Sequence, residues 1–148
     1  PAPAQLETRE TAIEIAMHYP RGLNSAKSFN SVGLPFSASA YRLENGSYMA
    51  GPRCTFAPGC ENIGEQSLSV FNTLGRVSLR DIVVDERMGI VMMRLHWNQR
   101  GGADSPKLTA WEMFKVHGGQ MHMVEAYIRL FPPELEYGGW PVRVAAQP

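Results

Sequence analysis

The chain has little of several features that would place it in a broad functional class. Its 148 residues carry 14 basic and 14 acidic side chains, for a formal net charge of zero. It therefore lacks the electrostatic character that nucleic acids or anionic membranes attract. No apolar run approaches the about 20 residues of a membrane-spanning helix. We expect neither a nucleic-acid partner nor a membrane.

Cysteine is also scarce. Cys54 and Cys60 are too few for a structural metal set. They could form one disulfide across a five-residue loop in an oxidising compartment, or remain free thiols. The opening Pro1-Ala2-Pro3-Ala4 fits either a trimmed linker or the residue of a cleaved signal peptide. The compartment is left open between the cytoplasm and a secreted or periplasmic location.

The length fits a single domain with a core, which we place over residues 1–148. Helical spacing of apolar residues predicts a helix over residues 7–19 that Pro20 stops or kinks. A second helix is predicted over residues 61–74, closed by Gly75.

The remaining elements are predicted strands. A strand over residues 37–43 ends at the turn signal Asn45-Gly46. From residue 77 onward the pattern is all strand, through residues 77–85, 90–98 and a long hairpin at 108–130. Helices followed by an antiparallel meander predict an α+β fold in which a curved sheet wraps against helices.

One carboxylate interrupts an apolar face in that hairpin. Because side chains alternate along a strand, Glu112 shares a face with Ala110 and Phe114. A carboxylate there costs several kcal/mol unless it is paired, hydrogen-bonded or neutralised. Glu112 is therefore a candidate catalytic or binding group. The alternative is a structural carboxylate paired with an arginine or with backbone N–H groups.

Four other polar side chains are candidates for chemistry. Arg42 and Glu44 share one strand face, so they form either an ion pair that orients Glu44 as a base or a rim salt bridge of little worth. His122 is predicted to face inward, where it could act as general acid or base or be an ordinary core residue. Tyr19 either hydrogen-bonds a substrate or packs in the core.

Apolar side chains predicted around these groups would form a wall for an aromatic ligand, although each also fits an ordinary core. The predicted substrate-binding residues are Tyr48, Met93, Trp97, Phe114, Val124, Ala126 and Ile128. No metal site is predicted, because His96, His117 and His122 are expected on different faces.

The opposite sheet face is too apolar for a solvated surface. It combines Ile90, Met92, Trp111 and Met113 with charged residues. Mixed patches of this kind usually mark subunit interfaces, so we predict a homo-oligomer built on the outer sheet face. The alternative is a monomer with scattered apolar residues.

The order of these elements resembles the NTF2-like (SnoaL-like) superfamily of conical α+β domains. The resemblance lies in the phrases Tyr41-Arg42-Leu43-Glu44-Asn45-Gly46, Val83-Val84-Asp85-Glu86-Arg87-Met88-Gly89, Glu112-Met113-Phe114-Lys115-Val116 and Gly119-Gln120-Met121, in that order along nearly the whole chain. The branch that it resembles includes fungal domains of unknown function.

The resemblance carries functional expectations. The superfamily includes ketosteroid isomerases, scytalone dehydratases, limonene-epoxide hydrolases and polyketide cyclases, which need no metal or organic cofactor, so none is expected here. The ketosteroid isomerase pattern puts its oxyanion-donating Tyr at Tyr19, its catalytic base near Glu44 and its protonated acid at Glu112. Glu stands where that pattern has Asp, which lengthens both side chains.

We therefore predict a cofactor-independent lyase that acts on a small hydrophobic, hydroxylated, aromatic molecule and eliminates water or formaldehyde. The chain is also similar to bacterial superfamily members that convert lignin-derived diarylpropane diols to stilbenes. This similarity implies a narrower prediction, in which the substrate is such a diol. The alternatives are an isomerase or polyketide-type cyclase and a non-catalytic module for ligand binding or assembly.

Overall fold

The structure is a computed structural model that describes residues 1–25, 27–69, 71, 74–97 and 106–132. Within these residues one α-helix and one six-stranded sheet form the domain, with short 3-10 turns at Pro3–Gln5 and Phe29–Val32. The elements are α1 (Arg9–Ser25), β1 (Phe36–Glu44), β2 (Ser47–Ala50), β3 (Val77–Asp85), β4 (Ile90–Trp97), β5 (Lys107–His117) and β6 (Gln120–Phe131).

The sheet has the order β2-β1-β6-β5-β4-β3. Strands β3 to β6 form the predicted antiparallel meander. Strand β1 pairs with β6 in parallel and with β2 in antiparallel orientation, so the sheet is mixed. The curved, unclosed sheet packs its inner face against α1, which confirms the predicted α+β class.

Helix α1 continues through Pro20, where the sequence predicted an end or a kink. Proline lacks the N–H that would bond the carbonyl of Ala16 and disfavours helical geometry at Tyr19. However, Tyr19, Pro20 and Leu23 are all buried against the sheet. Burial of this face outweighs the local cost of the proline, because tertiary packing supplies most helix stability in proteins.

The predicted helix over residues 61–74 is wrong in its first half, since residues 61–68 form turns and irregular backbone. Ile63 and Leu68 are buried all the same. Their apolar spacing reflects a loop packed on the core, which periodicity cannot distinguish from a helix. Residues 70, 72 and 73 lie outside the described residues, as do most of the predicted polar loop after β4 and the tail beyond residue 132.

Alternation along β4 is confirmed. Val91, Met93, Leu95 and Trp97 are at most 3% exposed and face the core. The strand is therefore read correctly from its period of two.

The loop after β2 is closed by a disulfide between Cys54 and Cys60, whose Cα atoms are 5.6 Å apart. Cys60 also accepts at its carbonyl a 2.8 Å hydrogen bond from the backbone N–H of Gly51. The loop is thus tied back to the end of β2. No helix within the described residues is long and apolar enough to cross a membrane.

Candidate functional site

The two candidate carboxylates lie on one cross-strand row of the inner face. Ala126 on β6 pairs with Glu44 of β1 on one side and with Glu112 of β5 on the other. Two interstrand spacings separate the carboxylate-bearing Cα atoms by about 10 Å. Since alanine adds only a methyl group between them, both side chains can extend over Ala126 toward the same space.

Arg42 stands on the adjacent row, paired with Val124. Its Nε lies 2.9 Å from Oε1 of Glu44, and its side chain is 5% exposed against 22% for Glu44. Neither Nε nor Nη1 of Arg42 makes a hydrogen bond of good geometry to any described residue. The contact is therefore a close ion pair, and a side-chain hydrogen bond with Tyr19 also holds the buried guanidinium.

Glu112 is the most deeply placed of these groups, at 3% exposure. Its Oε2 is buried and has no hydrogen-bond partner among the described residues. Burial raises the pKa of Glu112 from 4.5 to about 8, with Glu44 adding to the shift and Arg42 opposing it. At neutral pH the side chain is therefore mainly the neutral acid.

Tyr19 brings a hydroxyl to the same cluster from α1. Burial raises the pKa of Tyr19 well above its usual value, and Glu112 adds to the shift once it ionises at higher pH, so the phenol stays protonated. Burial by itself would lower the pKa of Arg42, but interactions with Tyr19 and Glu44 raise it overall. The cluster at neutral pH thus contains one ion pair and two neutral donors.

The position of Tyr19 depends on a residue that the sequence analysis missed. Phe29 stacks on Tyr19 with ring centroids 4.4 Å apart, and Phe114 closes the other side at 5.1 Å. A Cβ at Gly22 would come within 2.5 Å of the Phe29 ring, so glycine in the helix permits this stacking. The only sequence signal was an aromatic residue in a stretch otherwise rich in small and polar residues.

The predicted apolar wall is partly assembled around the carboxylates. Met93 is the cross-strand partner of Glu112, and Phe114, Val124 and Ala126 are buried beside it. Trp97 is buried four residues along β4 from Met93, about 13 Å away, and Ile128 is half-buried on the row between. The first four border the cluster, while the other two lie farther along the same face.

Tyr48 is not part of this wall. It pairs with Leu43 after a bulge between Arg42 and Leu43, and its ring stacks on Tyr41 at 6.0 Å. Tyr41 lies on the opposite face from Arg42, its neighbour in the strand. The predicted inward role of Tyr48 is therefore wrong, because the bulge shifts the alternation of β2 relative to β1.

His122 does not face inward either. The β5–β6 register shifts between Lys115 and Val116, which places Met121 in the core in its stead. The ring of His122 stacks on His117 at 3.6 Å, and its Nε2 lies 3.1 Å from the His117 carbonyl oxygen. The bulge turns His122 out of the core and Met121 into it, whereas Val124 and Ala126 keep their predicted inward face. In the described part of the chain, no three His, Cys, Asp or Glu side chains are grouped so that they could hold a metal ion.

Solved structures share this architecture at low sequence identity. A protein of unknown function with a cystatin-like fold from Methylobium petroleophilum PM1 is 15% identical, with a TM-score of 0.62 over 97% of this chain and 99% of that one. An NTF2-like protein of unknown function from Cytophaga hutchinsonii is 10% identical (TM-score 0.55, 84% and 95%). An LEH-like epoxide hydrolase of M. tuberculosis is 16% identical (TM-score 0.52, 81% and 84%).

The fold is therefore the NTF2-like α+β cone, as predicted, and the proteins that share it include an epoxide hydrolase. Residues 5–128 match the profile of a protein family described as a domain of unknown function, DUF8021, and the chain belongs to that family. A search among curated proteins found no match to this sequence.

Proposed function

We propose that this protein is a lyase that needs no cofactor and eliminates water or formaldehyde from a small hydrophobic, hydroxylated aromatic molecule by acid–base chemistry. The observation that carries the proposal is the buried Glu112 carboxyl, whose Oε2 has no hydrogen-bond partner among the described residues, beside the ion pair of Arg42 and Glu44. Arg42 is held by Glu44, with Nε 2.9 Å from Oε1, while its Nη1 is buried without a hydrogen-bond partner among the described residues.

Unsatisfied groups of this kind are rare in a purely structural core. Each buried polar atom without a partner costs about 1–3 kcal/mol, and more when charged. A substrate hydroxyl between Glu112 and Arg42 would accept from one group and donate to the other. The surrounding Met93, Phe114 and Val124 are fully buried and apolar. These contacts favour a ligand that is mostly hydrocarbon with few oxygens.

The electrostatics favour a different role for each carboxylate. Glu112, neutral at neutral pH because burial raises its pKa to about 8, is the general acid. Glu44 is more exposed and paired with Arg42, so it is the carboxylate suited to accept a proton. Tyr19 donates a hydrogen bond to oxygen on which negative charge develops.

For a diarylpropane diol these roles balance in one elimination. Glu44 removes the proton of the primary hydroxyl, and the bond between that carbon and the central carbon breaks to release formaldehyde. The electron pair forms the new double bond as the benzylic hydroxyl departs, and Glu112 protonates it to give water. The product is a stilbene. Simple dehydration of a smaller aromatic alcohol would use the same two carboxylates.

Mass spectrometry of product mixtures tests the proposal. Chelator-treated protein would be incubated with diarylpropane diols, other hydroxylated aromatic dimers and small polyketides. We expect a loss of water, or of water plus formaldehyde, without added metal. Unchanged mass with altered retention would instead identify an isomerase or cyclase. No change with any substrate would favour a binding module.

Matched variants locate the chemistry. General acid–base catalysis contributes about a hundredfold or more, so Glu112→Gln and Glu44→Gln should each lower kcat by at least that factor. Glu125→Gln is the control, because this carboxylate accepts a 2.8 Å hydrogen bond from Tyr127 on the outer face. Equal activity of the Glu112 and Glu125 variants would contradict the assignment.

A further inference from the structure

A second concave site lies on the opposite side of β1 from the carboxylate cluster. It is a groove of about 650 Å³ lined by Ser39, Tyr41, Tyr48, Pro52 and Arg53. Strand alternation separates it from the interior, because Tyr41 points outward where Arg42 points inward. Its volume falls in the range of sites for small molecules. We call it the outer groove.

The wall of the outer groove is aromatic and held in place. The rings of Tyr41 and Tyr48 are 6.0 Å apart and within 15° of parallel. A Cβ at Gly51 would come within 2.5 Å of the Tyr48 hydroxyl and 2.8 Å of the Tyr41 side chain. Gly51 has φ of +124°, a conformation that L side chains rarely adopt. The tyrosines therefore pack against the backbone at Gly51, where no larger residue would fit. Their rings form a preorganised platform.

The opposite wall comes from the disulfide loop. Pro52 and Arg53 follow Gly51 directly and precede Cys54, which is bridged to Cys60. Backbone hydrogen bonds of 2.8 Å join Gly51 to Cys60 and Cys54 to Gly51. The segment that carries Pro52 and Arg53 is thus closed at both ends by covalent and hydrogen bonds.

The polar groups of the outer groove are left for a ligand. Ser39 and Arg53 are exposed, and no other described residue hydrogen-bonds the hydroxyls of Ser39, Tyr41 and Tyr48 or forms an ion pair with Arg53. None of the described lining residues carries a carboxylate. An uncompensated guanidinium beside stacked rings recognises a negative charge on a flat apolar group.

We propose that the outer groove binds a planar aromatic acid. The aromatic ring stacks on the Tyr41–Tyr48 platform and against Pro52, and the acid group meets Arg53. A neutral aromatic molecule would leave the guanidinium unused. A sugar acid would satisfy the charge but would lack the flat ring that a mainly apolar lining favours. The proposal is independent of the lyase chemistry, since the two sites share no side chain.

Ligand titration by isothermal calorimetry tests the proposal on the full chain. The probes are 4-hydroxybenzoate and indole-3-acetate, with benzamide as the neutral aromatic and glucuronate as the non-aromatic acid. We expect saturable binding of the two aromatic acids, weakened by added salt, and no comparable binding of benzamide or glucuronate. Failure of both aromatic acids to bind, or equal binding of benzamide, would overturn the proposal.

Variants place the binding in the outer groove. Arg53→Gln should weaken it about fivefold, the value of a partly exposed ion pair, and Tyr41→Leu by a similar factor from lost stacking. Arg76→Gln is the matched control, because Arg76 is exposed and outside the groove. Glu112→Gln should leave the affinity unchanged. Loss of binding in Glu112→Gln with no effect of Arg53→Gln would move the acid to the interior cluster and refute an outer site.

Discussion

At the scale of single residues, the protonation state of Glu112 is the central property of the candidate site. It is nearly inaccessible, unpartnered at one oxygen, and flanked by a cation and a second carboxylate. A permanently ionised Glu112 would carry a large desolvation penalty, which the protein avoids by holding the proton. The same proton is what a general acid must donate.

The proton on Glu112 predicts a specific dependence of stability on pH. Its pKa is about 8 in the folded protein against 4.5 as the usual value. Between these values the folded state holds a proton that the unfolded state has released, so the free energy of unfolding falls as pH rises from about 4.5 to 8. Glu112→Gln keeps a neutral side chain and removes this loss, which amounts to several kcal/mol.

Urea unfolding of wild type and Glu112→Gln at pH 5, 7 and 8.5 measures this effect. We expect the variant to gain on the wild type as pH increases, with the largest difference at pH 8.5. Because other titrating groups are common to both proteins, they cancel in the difference. Parallel pH profiles would show that Glu112 is ionised with an ordinary pKa.

At the scale of elements, tight turns hold the strands in register. Two turn glycines differ in why glycine is needed: one only for its backbone conformation, the other also because a side chain would clash. Gly89 and Gly118 have φ values of +61° and +57°. A Cβ at Gly89 would lie 2.5 Å from the Val116 carbonyl oxygen, whereas one at Gly118 would meet nothing within 4 Å. The turn before β4 therefore packs against β5 at Gly89, whereas the β5–β6 turn has free space where a Gly118 side chain would lie.

Alanine at each position should show the difference. Gly118→Ala should cost about 1 kcal/mol of unfolding free energy for its left-handed conformation. Gly89→Ala should cost about 1–3 kcal/mol more, because the backbone must shift to relieve the contact. Chemical denaturation of both variants gives the comparison. Equal losses would mean that the turn before β4 relaxes freely.

The disulfide loop is a second element with a measurable contribution. Closing a loop with a sequence separation of six removes unfolded-state entropy worth about 2 kcal/mol. Dithiothreitol should therefore lower the melting temperature of the wild type. The Cys54→Ala/Cys60→Ala double variant should melt at a temperature that the reductant does not change. If dithiothreitol left the melting temperature of the wild type unchanged as well, the disulfide would add nothing to stability.

At the scale of the whole molecule, the outer sheet face remains more apolar than a solvated surface requires. Val83, Trp111 and Tyr127 are 54%, 39% and 51% exposed. One charge among them is already paired, as Arg94 lies 3.3 Å from Asp81 and stacks over Trp111. Pairing of Arg94 within the chain leaves the aromatic and aliphatic surface around it available to a partner.

We therefore expect the chain to form a homo-oligomer through this face. Light scattering coupled to size-exclusion chromatography should give a mass above that of one chain, and Trp111→Glu should shift it toward the monomer. Phe56→Glu is the matched control, because Phe56 is 64% exposed in the loop after β2. A wild type that stays monomeric at high concentration would refute the expectation.

Sequence patterns by themselves determined the class of fold, the antiparallel meander and the inward placement of Glu112. These depend on the two-residue period of a strand, which local sequence carries. The pattern of residues 61–68 wrongly predicted a helix, because a buried loop and an amphipathic helix can have the same spacing of apolar residues. Helix α1 continues through Pro20 because burial of Tyr19, Pro20 and Leu23 outweighs the helix-breaking tendency of the proline.

Only the tertiary structure decided which candidates meet. Arg42 and Glu44 reach Glu112 through the parallel pairing of β1 with β6, a contact between segments about eighty residues apart. The bulges near Leu43 and Val116 turned Tyr48 and His122 away from the cone. Register between distant strands and the position of a bulge are set by how the whole sheet closes over its core, and no local window of sequence contains that constraint.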